Sequence, residues 1–267
     1  MSTVQNALGL LNLFTQTQSE IGLTQFKNIS GFDKGTTNRY LKSLKTLGFL
    51  EQNSETRAYR LGPAVVRLAA IREKTFPISR IVEIHVNALA QEMGELVHAS
   101  LYSDMGMSPL YHRDGGISGT RVGFDPAELL PLHATASGIA MLAFGPKDLL
   151  VELSQTKLHK FTDRTQTDIG SIKKTVAQAQ ALGFAHTNQT FETDVTSVAI
   201  PFFDSSDLAI GTISVATPQF RMTDAFRFEI LTKAINTSRT ISSELGGMAP
   251  RDLNEKWTEI QKKADLP

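Results

Sequence analysis

Two sets of residues in this chain have the types and spacing to do chemistry. The first is basic. Thr36, Arg39, Lys42 and Ser43 recur at steps of three and four, with Lys34 and Asn38 at their edges. On a helix they share one face, opposite an apolar stripe of Thr37, Leu41 and Leu44. That face suits the major groove of double-stranded DNA, because arginine bonds guanine in bidentate fashion and asparagine pairs with adenine. Arg57 and Arg60 follow on a short alternating segment and would reach phosphate or the minor groove. The second set is the six histidines at 85, 98, 112, 133, 159 and 186. None shows the close spacing of helical or strand metal ligands. The chain has no cysteine, which excludes disulfides, thiolate metal sites and cysteine nucleophiles. A metal gathered from distant His and Asp stays open on spacing alone.

Catalytic signatures are missing. Gly116-Ile117-Ser118-Gly119-Thr120 fails the nucleophile-elbow pattern because Thr120 holds the place of its last glycine. Neither glycine-rich phosphate loop occurs. His112-Arg113-Asp114 stands without the rest of a kinase. No catalytic residue, no metal ligand and no cofactor is expected.

These residues need scaffolds, and the 267-residue length allows one large domain or two ordinary ones. Hydrophobic residues make up 41% and charged residues 20%, enough for a packed core. Apolar runs such as Ala64–Ile71 fall far short of a bilayer span, and no leader-like start opens the chain, so a cytoplasmic protein without membrane contact is expected. Net charge is zero, yet residues 1–75 hold ten Lys/Arg against five Asp/Glu, and the remainder seventeen against twenty-two. A basic front and an acidic back predict two domains with different partners, the front facing nucleic acid.

Along the front, periodicity predicts a helix over 4–15 with Thr3 as cap and Val4, Leu8, Leu11 and Phe14 on one face. A turn at 19–22 precedes a short helix over 23–29, capped by Thr24, with Phe26 and Ile29 inward. Gly31 breaks it, and a third helix runs from Asp33 to Leu47. Strands at 49–52 and 57–61 form a hairpin, and Pro63 opens a linker helix through Thr75 that Phe76-Pro77 ends. Three helices and a hairpin make a winged helix-turn-helix. The back mixes helices at 78–93, 132–144, 147–153, 169–182 and 222–245 with strands at 96–102, 108–113, 197–203 and 209–216. Turns are expected at Asp104-Met105-Gly106 and Asp204–Asp207, and a loop at Asp114–Gly119. The first back helix is expected to bury Ile81, Ile84, His85, Ala88 and Leu89.

Several stretches then resemble the IclR family of bacterial transcriptional regulators. The front carries Ser30-Gly31-Phe32-Asp33-Lys34-Gly35-Thr36-Thr37-Asn38-Arg39-Tyr40-Leu41, Leu47-Gly48-Phe49-Leu50 and Tyr59-Arg60-Leu61-Gly62. The back carries Leu130-Pro131-Leu132-His133-Ala134-Thr135-Ala136-Ser137-Gly138, Leu182-Gly183-Phe184, Val198-Ala199-Ile200-Pro201-Phe202-Phe203-Asp204 and Ile213-Ser214-Val215. Order and spacing match over roughly residues 4–245. The resemblance implies an α+β protein: a winged helix-turn-helix over 1–62, a linker helix over 63–77, a GAF-like α/β effector-binding domain over 78–246 and a tail over 247–267. It implies a regulator, not an enzyme, that binds a DNA operator as a homodimer or tetramer and answers to a small organic acid.

Carried over by position, the resemblance points to Ala136, Ser137, Thr187, Ser197, Ser214 and Ala216 as effector-binding residues, in a cavity that Phe202 and Ile213 would help line. Helix N-terminal N–H groups bind carboxylates, and hydroxyls orient them. His133 is expected to orient a loop. Two departures set this ligand apart from the small keto acids of the best-known members: the family commonly has an acidic residue where Thr187 stands, and 193–196 lacks a glycine often found there. His186, Asn188 and Gln189 are candidates for a different polar lining. Rival readings are a ligand sensor whose winged helix binds protein, and a small-molecule enzyme using the same cavity.

Overall fold

The computed structural model describes residues 2–15, 17–75, 78–103, 106–116, 119–205 and 208–263. The expected breaks at Phe76-Pro77, Asp104-Met105, Ile117-Ser118 and Ser206-Asp207 fall outside the described residues. The chain forms two compact units, Met1–Pro77 and Ile78–Pro267.

In the first unit, α1 (Thr3–Gly9) is capped by Ser2 rather than Thr3. The Ser2 hydroxyl accepts the Gln5 N–H, and the Gln5 side chain accepts the Ser2 N–H in return. The helix then tightens into a 3₁₀ turn, Leu10–Leu13, which swings the buried face onto Leu10 and Phe14 and leaves Val4 and Leu8 exposed. α2 (Leu23–Ser30) starts at Gly22, whose N–H the Gln25 side chain accepts, so Thr24 is not the cap. Phe26 is fully buried there while Ile29 faces solvent. Gly31 ends α2 at φ 74°, a conformation that costs glycine least.

α3 (Lys34–Thr46) begins where the Asp33 carboxylate accepts the Thr36 N–H at 2.9 Å, a bond that holds Asp33 below its ordinary pKa. Thr37, Tyr40, Leu41 and Leu44 form its buried stripe. β1 (Leu50–Gln52) and β2 (Tyr59–Leu61) pair antiparallel, and Ile21 bridges to Tyr59, so the expected turn at 19–22 also extends the wing. Edge-to-face contacts link Phe14, Phe26 and Tyr59 in the small core. α4 follows over Pro63–Thr75.

The second unit runs α5 (Ile78–Met93), β3 (Leu96–Ser103), β4 (Gly106–Asp114), α6 (Ala136–Phe144), α7 (Leu149–Leu153), α8 (Ile169–Leu182), β5 (Ala185–Asn188), β6 (Val195–Phe203), β7 (Ala209–Pro218), α9 (Asp224–Glu244) and α10 (Arg251–Lys262). The sheet order is β4-β3-β7-β6-β5, every neighbour antiparallel. α5 and α9 cover one face, α6 and α8 the other. α5 buries Ile78, Val82, Val86, Leu89, Ala90 and Met93, one residue round from the expected stripe, and Ile84 is exposed.

Residues 247–263 are no detached tail. α10 sinks Leu253 and Trp257 into the core, and the Trp257 indole donates to the Gly183 carbonyl at 2.7 Å. A polar sequence hid this helix, because two buried side chains suffice to dock it.

Candidate functional site

Strand register assembles a cavity on the α6 face of the sheet. Thr187 pairs with Ser197, Ser197 with Ala216 and Ala216 with Leu96, giving one row across β5, β6, β7 and β3. The next row of that face sets Ala199, Ser214, His98 and His112 side by side. The roof is the start of α6. Its cap, Thr135, accepts the Gly138 N–H at 3.0 Å and donates to the Pro131 carbonyl at 2.9 Å, so α6 begins at Ala136 and not at Leu132. Gly138 has no alternative here: a Cβ would stand 2.4 Å from the Leu132 backbone.

The cavity is about 50 Å³. All six residues named from sequence line it: Ala136, Ser137, Thr187, Ser197, Ser214 and Ala216. Ser214 Oγ donates to the Val198 carbonyl at 3.1 Å. Ser137 Oγ is fully buried and has no hydrogen-bond partner. The Ala136 and Ser137 N–H groups, at the start of α6, have no carbonyl within the helix to bond, while that of Gly138 is taken by the Thr135 cap. A helix start of this kind has the chemistry that suits an anion.

Two loops complete the walls. Phe124 enters from residues 119–130, its ring 4.8 Å from the His98 ring and 4.9 Å from that of His112. That loop is tied at both ends. Arg221 grips Glu95 through two bonds of 2.6 and 2.8 Å and donates to the Thr120 carbonyl at 3.0 Å, while Leu130 bridges to Met107. Thr190, Phe191 and Glu192 come from the loop after β5. Thr162 and Thr165 hydroxyls hold the Gln189 and Thr190 carbonyls, and Thr190 Oγ1 donates to the Ala134 carbonyl.

His98 is neutral, since burial, with a smaller push from His112, lowers its pKa to about 3. Partial burial and the Glu128 carboxylate hold Glu192 above the usual carboxylate range. Among the described residues, no lysine or arginine lines the cavity and no His/Asp/Glu group is placed to hold a metal.

In the first unit, Asn38, Arg39, Lys42 and Ser43 line an open groove along α3. Asn38 and Lys42 also face a second groove between α2, α3 and the hairpin, shared with Thr24, Gln25, Lys45 and Arg57. Arg39 is braced over the Tyr40 ring, and Ser43 Oγ donates to the Arg39 carbonyl. Arg57 is exposed in the left-handed region at φ 61°, closing the hairpin loop. Lys34 and Thr36 lie at the start of α3 and line neither groove. Arg60 lies exposed on β2, its guanidinium pairing with Glu51 across the hairpin and approaching Glu20.

A family model for the C-terminal part of the bacterial transcriptional regulator IclR matches residues 73–243, and one for the IclR helix-turn-helix domain matches residues 3–54. The chain belongs to the IclR family. HTH-type transcriptional regulator BhcR of Paracoccus denitrificans is 30% identical over 257 residues, covering 93% of this chain and 88% of the relative. A Silicibacter sp. TM1040 chain assigned to the family is 34% identical, with a TM-score of 0.86 over 94% of this chain and 99% of that one. An IclR homologue from Microbacterium hydrocarbonoxydans, complexed with 4-hydroxybenzoate, shares the fold at 20% identity and a TM-score of 0.71, covering 91% and 99%. This chain is thus a helix-turn-helix transcriptional regulator, and the curated relatives are named regulators, not enzymes. No described helix is long and apolar enough to cross a membrane.

Within this IclR regulator some sequence candidates lie elsewhere. His186 and Asn188 alternate away from Thr187, and Asn188 bonds Thr196 instead. Gln189 closes its own loop by bonding the Thr193 carbonyl. Phe202 and Ile213 face the opposite side of the sheet and belong to the core. His133 bonds the His159 carbonyl at 2.9 Å and stacks near Phe161, outside the cavity. Sequence reasoning missed His98, Phe124, Thr190, Phe191 and Glu192. His98 was findable, because it shares the inward parity of Leu96.

Proposed function

We propose that this regulator reads an operator in double-stranded DNA with α3 and the hairpin, and that a small organic acid in the cavity changes that binding. One observation carries the effector half: a buried, partnerless Ser137 hydroxyl beside the α6 N-terminus, in a cavity with polar floor and aromatic walls. The Microbacterium homologue with its bound hydroxybenzoate supports an organic acid. Asn38, Arg39, Lys42 and Ser43 carry the groove contacts, with Lys34 and Thr36 at the helix start and Arg57 on phosphate. Arg60 takes part only when it leaves its carboxylates.

The working form is a homodimer or a tetramer, which suits a roughly palindromic operator. Exposed apolar side chains at Val4, Leu8, Val66 and Ile71 support a subunit contact. The effector acts by binding one arrangement of the DNA-reading units better than another, through the linker α4.

Fluorescence anisotropy against DNA upstream of its own and neighbouring coding regions, across a salt series, tests the reading. Tight binding to one fragment over random DNA is expected, and Arg39→Ala with Lys42→Ala weakens it and flattens the salt slope by about one per lost phosphate contact. Equal, weak binding to all fragments with and without organic acids would overturn it. Leu68→Pro in α4 should abolish the ligand response while the cavity still binds.

A further inference from the structure

A polar side chain joins the hairpin to α3. Alternation along β1 sets Leu50 and Gln52 on one face of the hairpin, where Leu50 is buried in the small core and Gln52 lies half-buried in the groove between α2, α3 and the hairpin. Both ends of the Gln52 amide are engaged. Its Oε1 accepts from Lys45 Nζ, in the last turn of α3, at 3.3 Å, and its Nε2 donates to the Arg57 carbonyl at 2.8 Å. Arg57 is also held through its N–H, which donates to the Asn53 carbonyl at 3.0 Å. Its φ of 61° is one that side chains rarely adopt, so the loop tip keeps this backbone only where its neighbours fix it. Lys42, Lys45 and Arg57 supply the positive charge of the groove, and no carboxylate is among its described lining residues.

We propose that Gln52 is a positioning residue of the DNA interface: it holds Lys45 and Arg57 in one frame, so that helix and wing meet the phosphate backbone together. Lys45 thereby joins Arg57 as a phosphate contact. The proposal rests on the DNA reading above and adds what fixes the wing against the helix. Phosphates recur at a set interval along a strand, so two cations already held at one spacing bind without the ordering cost of a loose wing. Cationic contacts release counterions from DNA, whereas an amide carries no charge and releases none. A change at Gln52 therefore reaches the salt dependence of binding only through its two charged neighbours.

Fluorescence anisotropy of the full chain across a salt series tests this on two duplexes, one of random sequence and one the upstream fragment that binds tightest. Lys45→Met and Arg57→Ala should each flatten the slope of log affinity against log salt by about one. Gln52→Met keeps the length of the side chain and removes no charge, yet it should flatten the slope by about one to two. Gln52→Thr, shorter but suited to a strand, should do the same, with both variants keeping the circular dichroism of the parent. In a background of Lys45→Met with Arg57→Ala, Gln52→Met should change nothing further. An unchanged slope in both Gln52 variants, whether or not affinity falls, would overturn the proposal and leave the DNA reading intact. Failure of the parent to bind either duplex would overturn both.

Discussion

Thr165 is a single hydroxyl on which a cavity wall depends. Its Oγ1 accepts the N–H groups of Phe161 and Thr162 at 3.0 and 2.8 Å and donates to the Thr190 carbonyl at 2.6 Å. The residue is buried. Thr165→Val keeps the shape and removes the oxygen, so three backbone groups lose their partner at once. At about 1 kcal/mol each, the loss is about 3 kcal/mol. For a unit of this size that corresponds to a fall in melting temperature of roughly 6–12 °C. Calorimetry of the full chain, with the two units' transitions resolved, is the assay. Thr165→Ser retains the hydroxyl and should stay within about 1 kcal/mol of the parent. Exchange through local opening should speed up at residues 161–162 and in the loop carrying Phe191 and Glu192, beyond the rise that lower global stability gives the core amides. A valine variant that melts with the serine variant would refute the reasoning, because the three bonds would then contribute nothing net.

Three further outcomes follow from the same geometry. Gly138→Ala forces a methyl against the Leu132 backbone, so a loss of about 1–3 kcal/mol is expected by denaturant titration, with weakened ligand binding. Trp257→Phe strands the Gly183 carbonyl and should cost about 1–3 kcal/mol, detectable as earlier unfolding of the second unit. His98 makes stability fall with acid. The native ring stays neutral down to about pH 3 while the unfolded ring protonates near 6.5, so below that point the unfolded state holds more protons. Between those limits unfolding free energy should drop by about 1.4 kcal/mol per pH unit from this residue, with none of that slope above pH 6.5. His98→Gln should remove it, and an unchanged acid limb would show that the native ring titrates normally.

Element order was largely legible, because α3 and α8 announce themselves by period and by a capping Asp or a terminal Gly, and β7 by its apolar run. Which face a helix buries was harder to read. α5 is apolar over more than one stripe, so the pattern fits burial of Ile81 and Ile84 as well as of Val82 and Val86, and packing against the sheet decides. α1 misled for another reason, since a change of helical pitch at Leu10 cannot be seen in residue types. The cavity residues on strands and at the α6 start came from the family resemblance, and strand register sets those on the strands side by side. Phe124, Phe191 and Glu192 sit on loops, and loops take their aim from distant anchors such as Arg221 and Thr165.

Alternation along the strands separates two kinds of evolutionary change. At 187, 197, 214 and 216 side chains face the cavity, while at 198, 200, 202, 213 and 215 they fill the core. The same strands therefore hold two nearly independent texts, interleaved letter by letter. On the proposed effector reading, substitution at the first set retunes what the regulator senses. Substitution at the second spends stability without altering the signal. A library for a new inducer needs only the first set with Leu96, His98 and Glu192, a search small enough to exhaust. One inserted residue in β7 would exchange the two texts, so new specificities in this fold should arise by replacement and scarcely ever by insertion.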